Sequence, residues 1–107
     1  MKELINQIIA FRNERDWEPY HTGENLAKSI SIEAAELLEL FQWQPEVVNI
    51  ERLEEELADV LIYSLLLLHR YDLDFHQIIQ NKLKKNAIKY PIHKAYGNHK
   101  KYDEFDS

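Results

Sequence analysis

Apolar residues recur every three or four positions through most of the chain, which is the helical period. Leu4, Ile5, Ile8, Ile9 and Phe11 predict a first helix over residues 2–14. Arg15 to Gly23 (RDWEPYHTG) breaks the pattern with Pro19 and reads as a loop. Thr22 closes that loop as an N-cap, its hydroxyl placed to accept from an orphan amide of the next helix. Leu26, Ala27, Ile30, Ala34, Leu37, Leu38 and Phe41 carry a second helix over 24–42, and Pro45 marks the break after it. A third helix spans 51–71. Asp74 caps a fourth, which Pro91 stops near Tyr90. The expected fold is all-α, a four-helix antiparallel bundle, because short connections make successive helices antiparallel neighbours. One domain is expected over 1–107, with a core over about 3–92 and a tail over 93–107 of little periodicity.

The second half of the third helix, Leu61 to Leu68 (LIYSLLLL), is apolar nearly all round. A helix apolar on every side is buried on every side. In a chain of 107 residues that calls for a partner subunit as well as intrachain neighbours, so a homo-oligomer is expected. The apolar run from Val60 to Leu68 is too short to cross a bilayer, which takes about 20 residues. The first seven residues lack the continuous apolar segment of a signal peptide. A soluble, cytoplasmic protein with no membrane partner is the expectation.

Composition removes several chemistries. Two glycines and three prolines are too few for a turn-rich β fold. Neither GxGxxG nor GxxxxGK[ST] occurs, so a Rossmann fingerprint and a P-loop are excluded. The absence of cysteine excludes thiolate metal sites and disulfides. A net charge of −6 disfavours nucleic acid as a partner. The charge is also segregated. Nine acids and one base, Arg52, lie between Glu33 and Asp59, whereas seven lysines and no acid lie between Lys82 and Lys101. An acidic middle and a basic end can together serve a cation and a polyanion.

Within the acidic middle two pairs stand out. Glu33 and Glu36 are three apart on the second helix, and Glu56 and Asp59 are three apart on the third. Residues at that spacing share a face. Four converging carboxylates repel one another unless a cation sits among them, and hard oxygen ligands suit Mg²⁺, with Mn²⁺ as a substitute. Trp43 continues the Glu33/Glu36 face, and Tyr63 the Glu56/Asp59 face. The bland alternative is a solvated acidic surface, for which Glu36/Glu39 and Glu51/Glu54 are ready examples. A ferritin-like di-iron site would need two Glu-x-x-His pairs on helices. The single one here, Glu18 to His21, contains Pro19.

The spacing ExxE, nineteen residues, ExxD, written Glu33-Ala34-Ala35-Glu36 and Glu56-Leu57-Ala58-Asp59, resembles the MazG-like nucleotide pyrophosphohydrolases of the all-α NTP pyrophosphatase superfamily. The segments RNERDWEPYHTGENLAKSISIEAAELLELFQW, ELADVLIYSLLLL and KLKKNAIKYP are similar to the small dCTP-pyrophosphatase-like members, over residues 3–92. The resemblance implies Mg²⁺-dependent hydrolysis of a (d)NTP, dCTP-like or non-standard, to the monophosphate and pyrophosphate. It implies Glu33, Glu36, Glu56 and Asp59 as metal ligands, and Asn86 and Tyr90 near the phosphates or sugar. Trp17, His21 and Trp43 would shape the base pocket. One departure is Ile8, where the dCTP-type members tend to carry a polar ring. Such members are dimers or tetramers.

From the chemistry, Glu36 is the candidate general base. Tyr63, Lys82 and Lys89 are further candidate substrate contacts, although each lysine also fits a solvated helix face. Lys28 reads equally as a phosphate contact or a plain surface residue. Two other readings stand beside the enzyme: a non-catalytic acidic helical-bundle adaptor, and a phosphoribosyl-ATP pyrophosphohydrolase.

Overall fold

A computed structural model describes residues 1–47 and 49–97. Their helices are α1 (Lys2–Glu14), α2 (Gly23–Glu39), α3 (Ile50–Arg70), α4 (Phe75–Lys89) and a single turn, α5 (Ile92–Ala95). A 3₁₀ turn, Glu18–Tyr20, interrupts the loop between α1 and α2. No strand occurs among the described residues, so the all-α expectation holds, with α5 as an addition inside the segment expected to lack period. Residues 98–107 of that expected tail lie outside the described residues. None of the described helices is long and apolar enough to cross a membrane.

The helix starts follow their caps. Thr22 Oγ1 accepts from the Asn25 amide at 3.1 Å, and Asp74 Oδ1 from the Gln77 amide at 2.8 Å. Asn49 opens α3, one residue ahead of the expected start, its Oδ1 accepting from the Arg52 amide at 3.2 Å. α2 ends at Glu39, three residues earlier than the apolar period suggests. The amides of Leu40, Phe41 and Gln42 turn back onto the carbonyls of Leu37, Leu38 and Glu39, tightening the last turn to the i→i−3 pattern.

Two helix ends use aspartate where glycine is usual. Asp16 and Asp72 both take φ of +53°. The Asp16 and Trp17 amides donate to the carbonyls of Asn13 and Arg12, and those of Asp72 and Leu73 to His69 and Leu68. This is the Schellman pairing, in which a left-handed residue satisfies the last carbonyls. A side chain in that conformation costs energy that glycine avoids. Asp72→Gly should therefore be more stable than Asp72→Ala by roughly 1 kcal/mol, a few degrees in melting temperature for a domain of this size. Thermal unfolding of the two variants checks the order.

The chain divides into two compact units, Met1–Leu73 and the residues from Asp74 on. In the first, α2 packs along α3, and α1 also rests on α3. The buried side chains among the described residues are Leu26, Leu65, Leu66 and Leu68. Gly23 starts α2 under the Tyr71 ring from the end of α3, whose hydroxyl occupies the place a Cβ would take. Glu18 and Arg70 pair at 3.8 Å, linking the 3₁₀ turn to the end of α3. In the second unit α4 carries Ile78, Ile79 and Leu83, which with Lys82 line an apolar groove of about 370 Å³.

Candidate active site

The α2–α3 pair brings the two acidic motifs together. One carboxylate oxygen each from Glu33, Glu56 and Asp59 lie within 4.8 Å of one another. Glu33 and Glu56 are half-buried, and the Oε2 atom of each is buried with no hydrogen-bond partner. Two orphaned acceptors beside a third carboxylate are costly as they stand. They fit a hard divalent cation, which accepts oxygen ligands of this kind.

Glu36 stands one turn along α2 from Glu33 and beside Glu56. With every group ionised no donor joins these carboxylates. With one proton, Glu36 can share it with either neighbour. Glu33 raises the Glu36 pKa first through that shared proton and then through its charge, with burial adding to it. Glu56 is raised mainly by burial, then by Glu36 and Asp59, while the Arg52 guanidinium pulls it back. The folded chain therefore binds protons at this cluster more tightly than the unfolded chain.

The consequence for stability has a definite sign. A carboxyl with a raised pKa contributes stability that is fully present below its ordinary value of 4.5 and is lost as pH rises through the raised value. A cation that binds only the folded, ionised cluster restores it. Mg²⁺ or Mn²⁺ should raise the melting temperature clearly at neutral pH and less near pH 4.5, where protons compete with the ion at Glu36 and Glu56. Differential scanning fluorimetry at the two pH values checks this.

Tyr63 follows Asp59 by one turn of α3. Its pKa is raised by burial first, then by the charges of Glu33, Asp59 and Glu36. The His21 ring meets Tyr63 edge-on at 6.3 Å between centroids. His21 Nδ1 is buried without a partner, and burial, followed by the Arg12 charge, lowers its pKa. A neutral imidazole with a free nitrogen thus lies at the Tyr63 end of the cluster. Trp17 is held elsewhere in the loop, edge-on to Phe11 at 5.9 Å, with the Arg15 guanidinium 3.6 Å from the Phe11 ring.

The other expected contacts lie as follows. Trp43 does not continue the Glu33/Glu36 face, because α2 has already ended, and it is 89% exposed. Lys28 lies on an exposed face and pairs with Glu24 one turn back at 3.3 Å. Lys82, Asn86 and Lys89 lie on α4, and Tyr90 caps it, donating its amide to the Asn86 carbonyl at 2.7 Å. These four belong to the second unit.

A polar cleft of about 480 Å³ opens at the other end of the cluster from Tyr63, where α2 ends and α3 begins. Glu39, Gln42, Gln44, Asn49 and Arg52 line it. The sequence signals for it were the lone Arg52 among nine acids and the run of amides flanking Pro45.

Residues 28–105 match the MazG-like family. The chain is 37% identical over 112 residues to dCTP pyrophosphatase 1 from Bos taurus and from Homo sapiens, a match covering 95% of this chain and 66% of each relative. It thus spans slightly under two thirds of the length of those relatives. The crystal structure of a pyrophosphatase from Archaeoglobus fulgidus superposes with a TM-score of 0.81 at 43% identity, covering 85% of this chain and 92% of that one. The acidic pairs lie within the matched residues 28–105, and the chain belongs to the MazG-like family.

Proposed function

We propose that the chain is a Mg²⁺-dependent nucleoside triphosphate pyrophosphohydrolase, acting as one domain. Its substrates would be (d)NTPs, dCTP-like or non-standard, and its products the monophosphate and pyrophosphate. The observation that carries this reading is the convergence of Glu33, Glu56 and Asp59, with two orphaned oxygens, in a chain similar over 95% of its length to dCTP pyrophosphatases.

Glu33, Glu56 and Asp59 would hold the cation, with Glu36 at its edge. When bound, such an ion neutralises phosphoryl charge and acidifies water. Hydrolysis forms a bond from the water oxygen to the α-phosphorus and breaks the bond to the bridging oxygen, which leaves with pyrophosphate. Glu36 takes the water's proton, since it sits beside the ligands and its pKa is already raised. Tyr63 and His21 would border the sugar and base at one end of the cluster. Trp17 and Trp43 would shape the base pocket, Asn86 and Tyr90 would approach the phosphates or sugar, and Lys28, Lys82 and Lys89 would be further substrate contacts. Assembly into a homo-oligomer in the cytoplasm is part of this proposal.

The adaptor reading needs carboxylates that face solvent, and the half-buried Glu33 and Glu56 oppose it. The test is pyrophosphate release from a panel of (d)NTPs and phosphoribosyl-ATP, with Mg²⁺ and with EDTA. Mg²⁺-dependent release of pyrophosphate and monophosphate supports the proposal. Phosphoribosyl-ATP as the one good substrate moves the assignment to that activity, and no release from any member favours the adaptor.

A further inference from the structure

The cleft at the α2–α3 connection is lined by one cation, Arg52. Arg52 lies on the first turn of α3, and its backbone amide is committed to the Asn49 cap. Its guanidinium forms no ion pair and no hydrogen bond among the described residues, whereas Arg15, Lys28 and Arg70 each have an acid within 4.0 Å. Glu39 lines the same cleft without closing to ion-pair distance. The amides of Gln42, Gln44 and Asn49 complete the lining. Arg52 also lies near enough to Glu56 for its charge to stabilise the ionised carboxylate.

The order of groups along the helix pair gives this cleft a direction. Down α3 the groups run Tyr63, Asp59, Glu56, Arg52, and alongside them on α2 run Glu33, Glu36 and Glu39. Four residues of helix separate Glu56 from Arg52, about 6 Å of rise. A triphosphate with its α-phosphorus at the carboxylates and its nucleoside toward Tyr63 extends its remaining phosphates toward Arg52. We infer that Arg52 and the cleft around it receive the diphosphate leaving group, the guanidinium binding its non-bridging oxygens. This rests on the functional reading above. A diphosphate carrying Mg²⁺ brings both an anion for Arg52 and a cation for Glu39, which suits a cleft lined by one charge of each sign. Planar guanidinium donors fit phosphate oxygens in pairs, which a lysine ammonium does not reproduce.

The experiment measures inorganic pyrophosphate, with Mg²⁺ present, binding to the full chain by calorimetry. Product inhibition by pyrophosphate and by the nucleoside monophosphate is measured in parallel. Wild type is compared with Arg52→Ala and Arg52→Lys, and thermal unfolding confirms that each variant is folded. Arg52→Ala should weaken pyrophosphate binding and inhibition by about 10- to 100-fold, the range for a charge-assisted contact, with monophosphate inhibition unchanged. Arg52→Lys should fall between. Unchanged pyrophosphate binding in a folded Arg52→Ala, with wild-type turnover intact, overturns the role of Arg52. Equal weakening of both products also overturns it, since that marks a general effect on the carboxylate cluster. A changed base ranking with unchanged pyrophosphate inhibition would assign the cleft to the base and overturn the inference. A wild type that hydrolyses no triphosphate removes the functional reading itself, a result that no Arg52 variant can mimic.

Discussion

Glu36→Gln should lower turnover by about 10²–10⁴-fold, the contribution of a positioned general base. The substitution keeps size and shape and removes the proton acceptor. Asp59→Asn should also abolish turnover under ordinary conditions, for a different reason: it removes a charged ligand from the group within 4.8 Å. The two losses are therefore distinguishable. Raised Mg²⁺ should recover part of the Asp59→Asn activity and none of the Glu36→Gln activity. Neither variant should melt below wild type in the absence of metal. Each removes a like charge from a cluster whose members raise one another's pKa values, so the metal-free fold is relieved. Steady-state kinetics over a Mg²⁺ series, with melting curves in EDTA, measure both effects. Full activity in either variant would sink the carboxylate assignment.

The parts of this site that were legible in the sequence are those written in local spacing. ExxE and ExxD place their carboxylates on single helix faces, and α2 and α3 hold both pairs as whole turns. Thr22 and Asp74 were readable as caps because a capping side chain acts within three residues. What the period could not show was where a helix tightens. Leu40 to Gln42 continue the apolar pattern of α2, yet their amides switch to i→i−3 partners, and Trp43 leaves the helix face for that reason. Asp16 and Asp72 were equally opaque. A left-handed C-terminal residue is usually announced by glycine, and here aspartate fills the position. The edge-on meeting of His21 with Tyr63 joins the loop to α3, a contact that no local pattern encodes.

Leu61→Glu should convert the proposed oligomer to monomer and remove activity with it. α3 carries three of the four leucines buried among the described residues, Leu65, Leu66 and Leu68 near its end. One turn earlier the same helix leaves Leu57 43%, Leu61 52% and Ile62 39% exposed. Leu57 and Leu61 are four apart and form one ridge. Four buried leucines among the described residues are a small core, and uncovered leucines on α3 are the apolar surface that a second copy would remove from water. A carboxylate forced into such a contact costs several kcal/mol, so about 3 kcal/mol already weakens association more than 100-fold. Activity should follow, because Leu61 lies between Asp59 and Tyr63 on the helix that presents both to the cluster. Sedimentation or light scattering of wild type and variant at matched concentration decides the point. A wild type of dimer or tetramer mass and a variant of about 13 kDa, the mass of one chain at 12.8 kDa, is the expected pair. Equal masses for the two would move the assembly interface off this ridge of α3.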